Sequence, residues 1–163
     1  MRLDLREIIE VSGGSVPFDC EIETERLSFP SVASYSAKPH AVGRVYNEAG
    51  VLRLEGEVTA DMVCICDRCG REFESEKETE LRAIIVEDDP GDDPELFPLE
   101  GDGIDLDELV STLFILDMET KFLCREDCKG LCSVCGKDLN LGPCGCRKQR
   151  DPRFAVLEQL LDK

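Results

Sequence analysis

Ten cysteines stand in the 163-residue chain, and eight of them fall in close-set pairs: Cys66 with Cys69, Cys124 with Cys128, Cys132 with Cys135, and Cys144 with Cys146. A Cys-x-x-Cys turn aims two thiolates at one point, and four sulfurs at about 2.3 Å close a tetrahedral Zn²⁺ site. A glycine follows each Cys-x-x-Cys, as Gly70 and Gly136, where the backbone must turn through positive φ. Cys132, Cys135, Cys144 and Cys146 are near enough in sequence to form one set alone. Cys66 and Cys69 make half a site, and Cys124 with Cys128 supply the other half, so that an ion there would staple distant stretches of chain. Two other pairings stay open: Cys128 joining the C-terminal set, or Cys64 replacing Cys66. All-sulfur sites accept iron as well, but zinc, two ions per chain, is the preferred reading. Four protein ligands leave no position for water, which points to structure and away from metal-assisted hydrolysis.

The remaining candidates for chemistry are weaker. His40 is the single histidine, and with no nucleophile motif around it the reading is a surface or core side chain. Asp88-Asp89 and Asp92-Asp93 are spaced as carboxylates that magnesium accepts, but a Pro- and Gly-broken segment makes them a solvated charge run. Arg147, Lys148, Arg150 and Arg153 form a basic cluster beside the last cysteines, and a zinc knuckle next to such charge suits single-stranded RNA. Two tyrosines and no tryptophan leave few platforms for stacking bases. No catalytic residues are expected, and the chain is not read as an enzyme.

Strands must carry these sites. Val16, Phe18, Cys20 and Ile22 alternate with Pro17, Asp19 and Glu21, the period of a half-buried strand. The runs Ala41 to Tyr46 and Val51 to Val63 flank Asn47-Glu48-Ala49-Gly50, a hairpin with Gly50 at positive φ. Arg71 to Val86 returns as another strand, which places Cys66 and Cys69 in the turn before it, and leaves Cys20 and Cys64 on strands as small hydrophobes. From Glu87 to Gly103, Pro, Gly and repeated acids predict a loop. Asp105, with Glu108 three places on, caps a helix to about Met118 that presents Leu106, Leu109, Val110, Leu113 and Leu116. Asp151-Pro152 opens a short terminal helix with Phe154, Leu157, Leu160 and Leu161 on one stripe. The expected fold is α+β: residues 1–123 as a mainly antiparallel β core with the central helix, and 124–163 as a cysteine-rich zinc knuckle and C-terminal helix packed on it.

Composition narrows the class. Apolar residues are 42% and charged residues 34% of the chain, a globular balance. No stretch approaches the roughly 20 apolar residues that span a bilayer, and the charged start lacks a secretory segment, so the expected place is the cytoplasm. Thiols stay reduced there, which favours metal over disulfides. The formal charge is -17, and eight thiolates with two divalent ions would take it to about -21. Such a surface repels nucleic-acid backbone overall and suits either plain solubility or a basic protein partner.

The string from Leu123 to Asn140, with Cys144-Gly145-Cys146 and the closing Asp151-Pro152-Arg153-Phe154, resembles the C-terminal signature of the YceD-like family, the large ribosomal RNA subunit accumulation proteins. Cys66-Asp67-Arg68-Cys69 resembles the family's central cysteine pair, and Gly103-Ile104-Asp105-Leu106 its approach to the helix. The resemblance implies a part in the accumulation or maturation of large-subunit ribosomal RNA, with metal sites that are separable. Joined to the acidic charge, it leads to a basic ribosomal protein or a large-subunit assembly particle as the expected partner, with the basic cluster expected to make local rRNA contact and no small-molecule substrate. A zinc-handling or redox-sensing protein is the alternative.

Overall fold

Apolar and polar residues alternate along the longest strands, so each buries one face and wets the other. A computed structural model describes residues 1–87, 91, 93 and 95–146. In chain order they form β1 (Arg2–Asp4), β2 (Ser15–Glu21), β3 (Val32–Tyr35), β4 (His40–Glu48), β5 (Val51–Ile65), β6 (Glu72–Val86), β7 (Leu96–Pro98), β8 (Gly103–Asp105) and the helix α1 (Leu106–Leu116). Short 3-10 turns lie at Thr24–Arg26 and Leu139–Leu141.

One six-stranded sheet runs β2-β4-β5-β6-β7, with β3 also on β5, and β1 pairs with β8 in a small second sheet. Every pairing is antiparallel except β6 with β7, which makes the main sheet mixed. The buried face of β5 supplies Leu52, Leu54, Val58, Ala60, Met62 and Cys64, and that of β6 supplies Leu81, Ala83 and Ile85. The helix lays Leu106, Leu109, Val110 and Phe114 into the same core.

The β4–β5 turn is tighter than its sequence suggests. Only Ala49 and Gly50 lie outside the strands, both at positive φ (54° and 91°), as a two-residue turn requires. Asn47 belongs to β4 and is buried; its Oδ1 accepts from Gly50 N, while Nδ2 donates to Ile8 O and Ile9 O, each at 2.8 Å. The amide thus ties the turn to the N-terminal segment.

Three expectations need correction or a boundary. Asp105 does cap the helix, accepting from the amides of Asp107 and Glu108. The buried stripe, however, steps by four through Leu106, Val110 and Phe114, which turns Leu116, two residues further, to the other side, where it is 59% exposed. Within the expected loop, Leu96–Pro98 pairs in parallel with Ile84–Val86 of β6, a pairing that long-range register decides and local composition does not. The expected C-terminal helix lies outside the described residues.

Candidate metal centres

The chain leaves β5 at Ile65 and enters β6 at Glu72, and the intervening turn carries Cys66 and Cys69. Cys66 N donates to Arg71 O at 2.9 Å and Gly70 N to Cys66 O at 2.8 Å. The second Cys-x-x-Cys repeats this pattern: Cys132 N donates to Lys137 O and Gly136 N to Cys132 O, both at 2.8 Å. Gly70 and Gly136 take φ of 68° and 71°, the left-handed turn that a Cβ would strain. Two separate stretches of sequence therefore build one and the same sulfur-presenting knuckle.

The sulfurs of Cys66, Cys69, Cys124 and Cys128 lie within 4.8 Å of one another, as do those of Cys132, Cys135, Cys144 and Cys146. Cys66 Sγ is 3.8 Å from Cys128 Sγ, and Cys69 Sγ is 3.7 Å from Cys124 Sγ. A tetrahedron of sulfurs at about 2.3 Å from one ion has edges of about 3.8 Å, so the first set has the dimensions that zinc asks for. This grouping places Cys128 with Cys66 rather than with the C-terminal knuckle. Cys64 is buried on β5 and Cys20 half-buried on β2, outside both sets.

The electrostatics of both sets suit a cation. Burial opposes ionisation of Cys66, but the amides of Cys124, Cys69 and Arg68 outweigh it and hold that thiol down at about 6. Burial, and then the neighbouring sulfurs of Cys66, Cys69 and Cys128, push Cys124 up to about 12. In the other set the amides of Cys135 and Val134 hold Cys132 down at about 6, while the Cys135 sulfur and burial push Cys146 up to about 12. Within each set some thiols are pushed down and others up, as crowded sulfurs that resist ionising together require until a positive charge joins them.

The first set is deep: Cys66, Cys69 and Cys128 are buried, packed beside Phe73 and Leu123. Several residues that sequence reasoning passed over fasten it. Asp67 N donates to Phe122 O at 2.9 Å, and the Asp67 carboxylate accepts from Phe122 N at 2.6 Å and Ser31 Oγ at 3.1 Å. Phe122 itself is buried against Phe29. Arg68 Nη1 donates to the carbonyls of Glu126 and Cys128. Gly130, at φ 71°, comes so close that a Cβ would sit 2.8 Å from Arg68 O. None of these roles has a local signal, since each arises from a contact across the fold.

The second set is shallower, with Cys135 and Cys146 exposed. Its stem nevertheless reaches the first. Leu131 N donates to Arg68 O, Leu139 N to Gly130 O, and Arg71 pairs with Asp138 at 2.9 Å. Asn140 Nδ2 donates to Cys128 Sγ at 3.4 Å, and its Oδ1 accepts from Lys129 N and Arg125, both at 2.8 Å. The two centres share a hydrogen-bonded wall.

Other candidates are placed apart from the cysteines. His40 is exposed on β4 with Nε2 2.8 Å from Asp19 Oδ1. An open trough of about 950 Å³ on the wet face of the main sheet is lined by Tyr46, Arg53, Glu55, Glu57, Glu80 and Arg82 among others, and by no cysteine or histidine. Arg147, Lys148, Arg150 and Arg153 lie outside the described residues, as do Asp88, Asp89 and Asp92.

Residues 54–161 match the family model described as large ribosomal RNA subunit accumulation protein YceD. The chain belongs to the YceD family. Both cysteine sets of this YceD-family chain fall inside the matched stretch. An uncharacterised protein of Mycobacterium tuberculosis is 30% identical over 117 residues, covering 69% of this chain and 56% of the relative; one from Mycobacterium bovis matches equally. The chloroplastic large ribosomal RNA subunit accumulation protein YCED homolog 1 of Arabidopsis thaliana is 24% identical over 145 residues, covering 69% of this chain and 45% of the relative. The chain thus spans about half the length of the curated relatives it matches. No solved structure matches it. Among the described residues no helix is long and apolar enough to cross a membrane.

Proposed function

We propose that this chain is a non-enzymatic, zinc-stabilised factor for the accumulation or assembly of large-subunit ribosomal RNA. The observation that carries the reading is the convergence of eight cysteine sulfurs into two four-membered sets within a member of the large ribosomal RNA subunit accumulation family. Cys66, Cys69, Cys124 and Cys128 hold one Zn²⁺, and Cys132, Cys135, Cys144 and Cys146 hold a second. Each ion supplies only a cross-link, since four thiolates saturate it. Residues 1–123 act as the β-rich core and 124–163 as the metal-binding segment clamped to it.

The chain works by binding. Its formal charge of -17 suits a basic ribosomal protein or an assembling large-subunit particle, and Arg147, Lys148, Arg150 and Arg153 give local contact with rRNA. A reducing cytoplasm keeps the thiols available to metal. The exposed sulfurs of Cys135 and Cys146 favour a second reading, a zinc-handling or redox-sensing protein.

Sedimentation of a lysate carrying the tagged chain separates the two. A factor travels with large-subunit precursor particles and leaves them when a chelator unfolds it. A zinc carrier stays at the top of the gradient and surrenders metal while remaining folded, and that pattern would overturn the proposal.

A further inference from the structure

β6 has two edges, and only one is used along most of its length. β5 pairs with it from Glu72 to Ile85, while β7 takes the other side only at Ile84–Val86. From Glu72 to Ala83 that second edge has no strand partner among the described residues. At about 3.3 Å per residue this is a backbone template some 40 Å long.

The edge carries an ordered charge. Glu72, Glu74, Glu76, Glu78 and Glu80 occupy every second position and all are exposed on the wet face. Opposite them on β5, Glu57 faces Glu80 and Asp61 faces Glu76 directly, the cross-strand arrangement that like charges disfavour. Among the described residues one cation, Arg82, pairs with one of the five, Glu80. On the other face Lys77 and Thr79 already donate to Asp117 at the end of α1, so the unmet demand for positive charge lies on the wet face.

We propose that the free edge of β6, from Glu72 to Arg82, docks an extended basic polypeptide segment, which adds to the sheet as a strand carrying Lys or Arg at alternate positions. The open backbone supplies hydrogen bonds, and the period-two row of carboxylates supplies cross-strand ion pairs with a basic strand. A second copy of this chain would set Glu against Glu, which the same row forbids. Phosphate is repelled by it, so RNA is the wrong occupant. Carboxylates about 7 Å apart along one strand face do not converge on a single ion. The chain's own Arg147-Lys148-Gln149-Arg150 is basic as well, and the experiment below distinguishes it from a segment of another protein. The inference rests on the proposed function only for where such a segment comes from, a basic protein of the large subunit.

The full-length, metal-loaded chain is titrated with a twelve-residue peptide alternating Lys and Thr, and with a peptide of equal composition whose lysines fill one half. Backbone hydrogen exchange is followed in parallel. The alternating peptide binds at least tenfold more tightly than the blocked one and slows exchange of amides between Glu72 and Arg82. E74Q/E76Q/E78Q loses that binding at least tenfold while melting no lower, because it removes only exposed like charge. Equal binding of the two peptides, or no protection on β6, overturns the inference in favour of diffuse charge attraction. Displacement of the peptide from the edge by a single-stranded RNA oligonucleotide overturns it in favour of RNA. Edge amides protected in the free chain and released by R147Q/K148Q/R150Q give the edge to the chain's own tail and overturn it too. In cells the two readings part. If deleting the gene lowers large-subunit RNA but E74Q/E76Q/E78Q does not, the docking edge is wrong and the function stands. If deletion changes nothing while the alternating peptide still protects β6, the edge stands and the function falls.

Discussion

Asn140 sits in the loop between the two pairs of the C-terminal set, yet its Nδ2 donates to Cys128 Sγ of the other set. A donor on a ligating thiolate orients the sulfur and offsets its charge, and removal of such partners costs about 10–100-fold in metal affinity. The anaerobically purified chain should carry about two zinc ions. Asn140→Ala should weaken the ion at Cys66, Cys69, Cys124 and Cys128 by about that 10–100-fold factor while leaving the count at two under saturating zinc. Chelator competition reads the change, and an unaltered affinity would remove Asn140 from the site. The cysteines were legible in the sequence because sulfur spacing carries its own chemistry. Asn140 and Asp67 were not, because their partners arrive only when the fold brings segments 12 and 55 residues away against them.

The first cysteine set joins the β5–β6 turn to the segment after α1, a closure across 55 residues between Cys69 and Cys124. Holding so long a loop removes much entropy from the unfolded chain, and a structural zinc contributes about 10 kcal/mol or more of apparent binding free energy. Cys69→Ser should therefore lower the melting temperature of the whole chain. Cys135→Ser breaks a set confined to 132–146 and should chiefly raise protease sensitivity beyond Gly130, with a smaller loss at the first site through Asn140. Equal global unfolding by both variants, seen in melting and limited proteolysis, would contradict the division. At this scale alternation told the truth about β2, β4, β5 and β6, since a strand with one buried face must write that face into every second residue. It failed at Leu116, where the helix end turns a leucine into solvent, and at Leu96–Pro98, where a short parallel strand forms among Pro and acidic residues because β6 offers it an edge. The tightness of the Ala49-Gly50 turn was equally hidden, because a buried Asn47 pulled into β4 shortens the loop from within.

The whole molecule combines a frame with two four-cysteine sets and a strongly acidic net charge. A charge of -17 destabilises a compact chain through self-repulsion, and in this fold part of it stands as a row of glutamates along one wet strand face, opposite further acids on β5. In the proposed function metal and surface have distinct tasks: ions at the two cysteine sets would keep 124–146 seated on the β5–β6 turn, and the charge would select basic partners. Composition predicted the sign of the surface and the alternation of Glu72 to Glu80 stands in the sequence itself, whereas only the β5–β6 register sets Glu57 and Asp61 opposite that row. The proposed role of the metal-held frame in large-subunit RNA accumulation is read out by the ratio of mature large-subunit to small-subunit RNA in a deletion strain carrying either the natural gene or Cys69→Ser at matched expression. The ratio should fall in the deletion, recover with the natural gene, and fail to recover with Cys69→Ser. An unchanged ratio in the deletion, or full recovery by a Cys69→Ser chain that no longer binds metal at its first site, would contradict it.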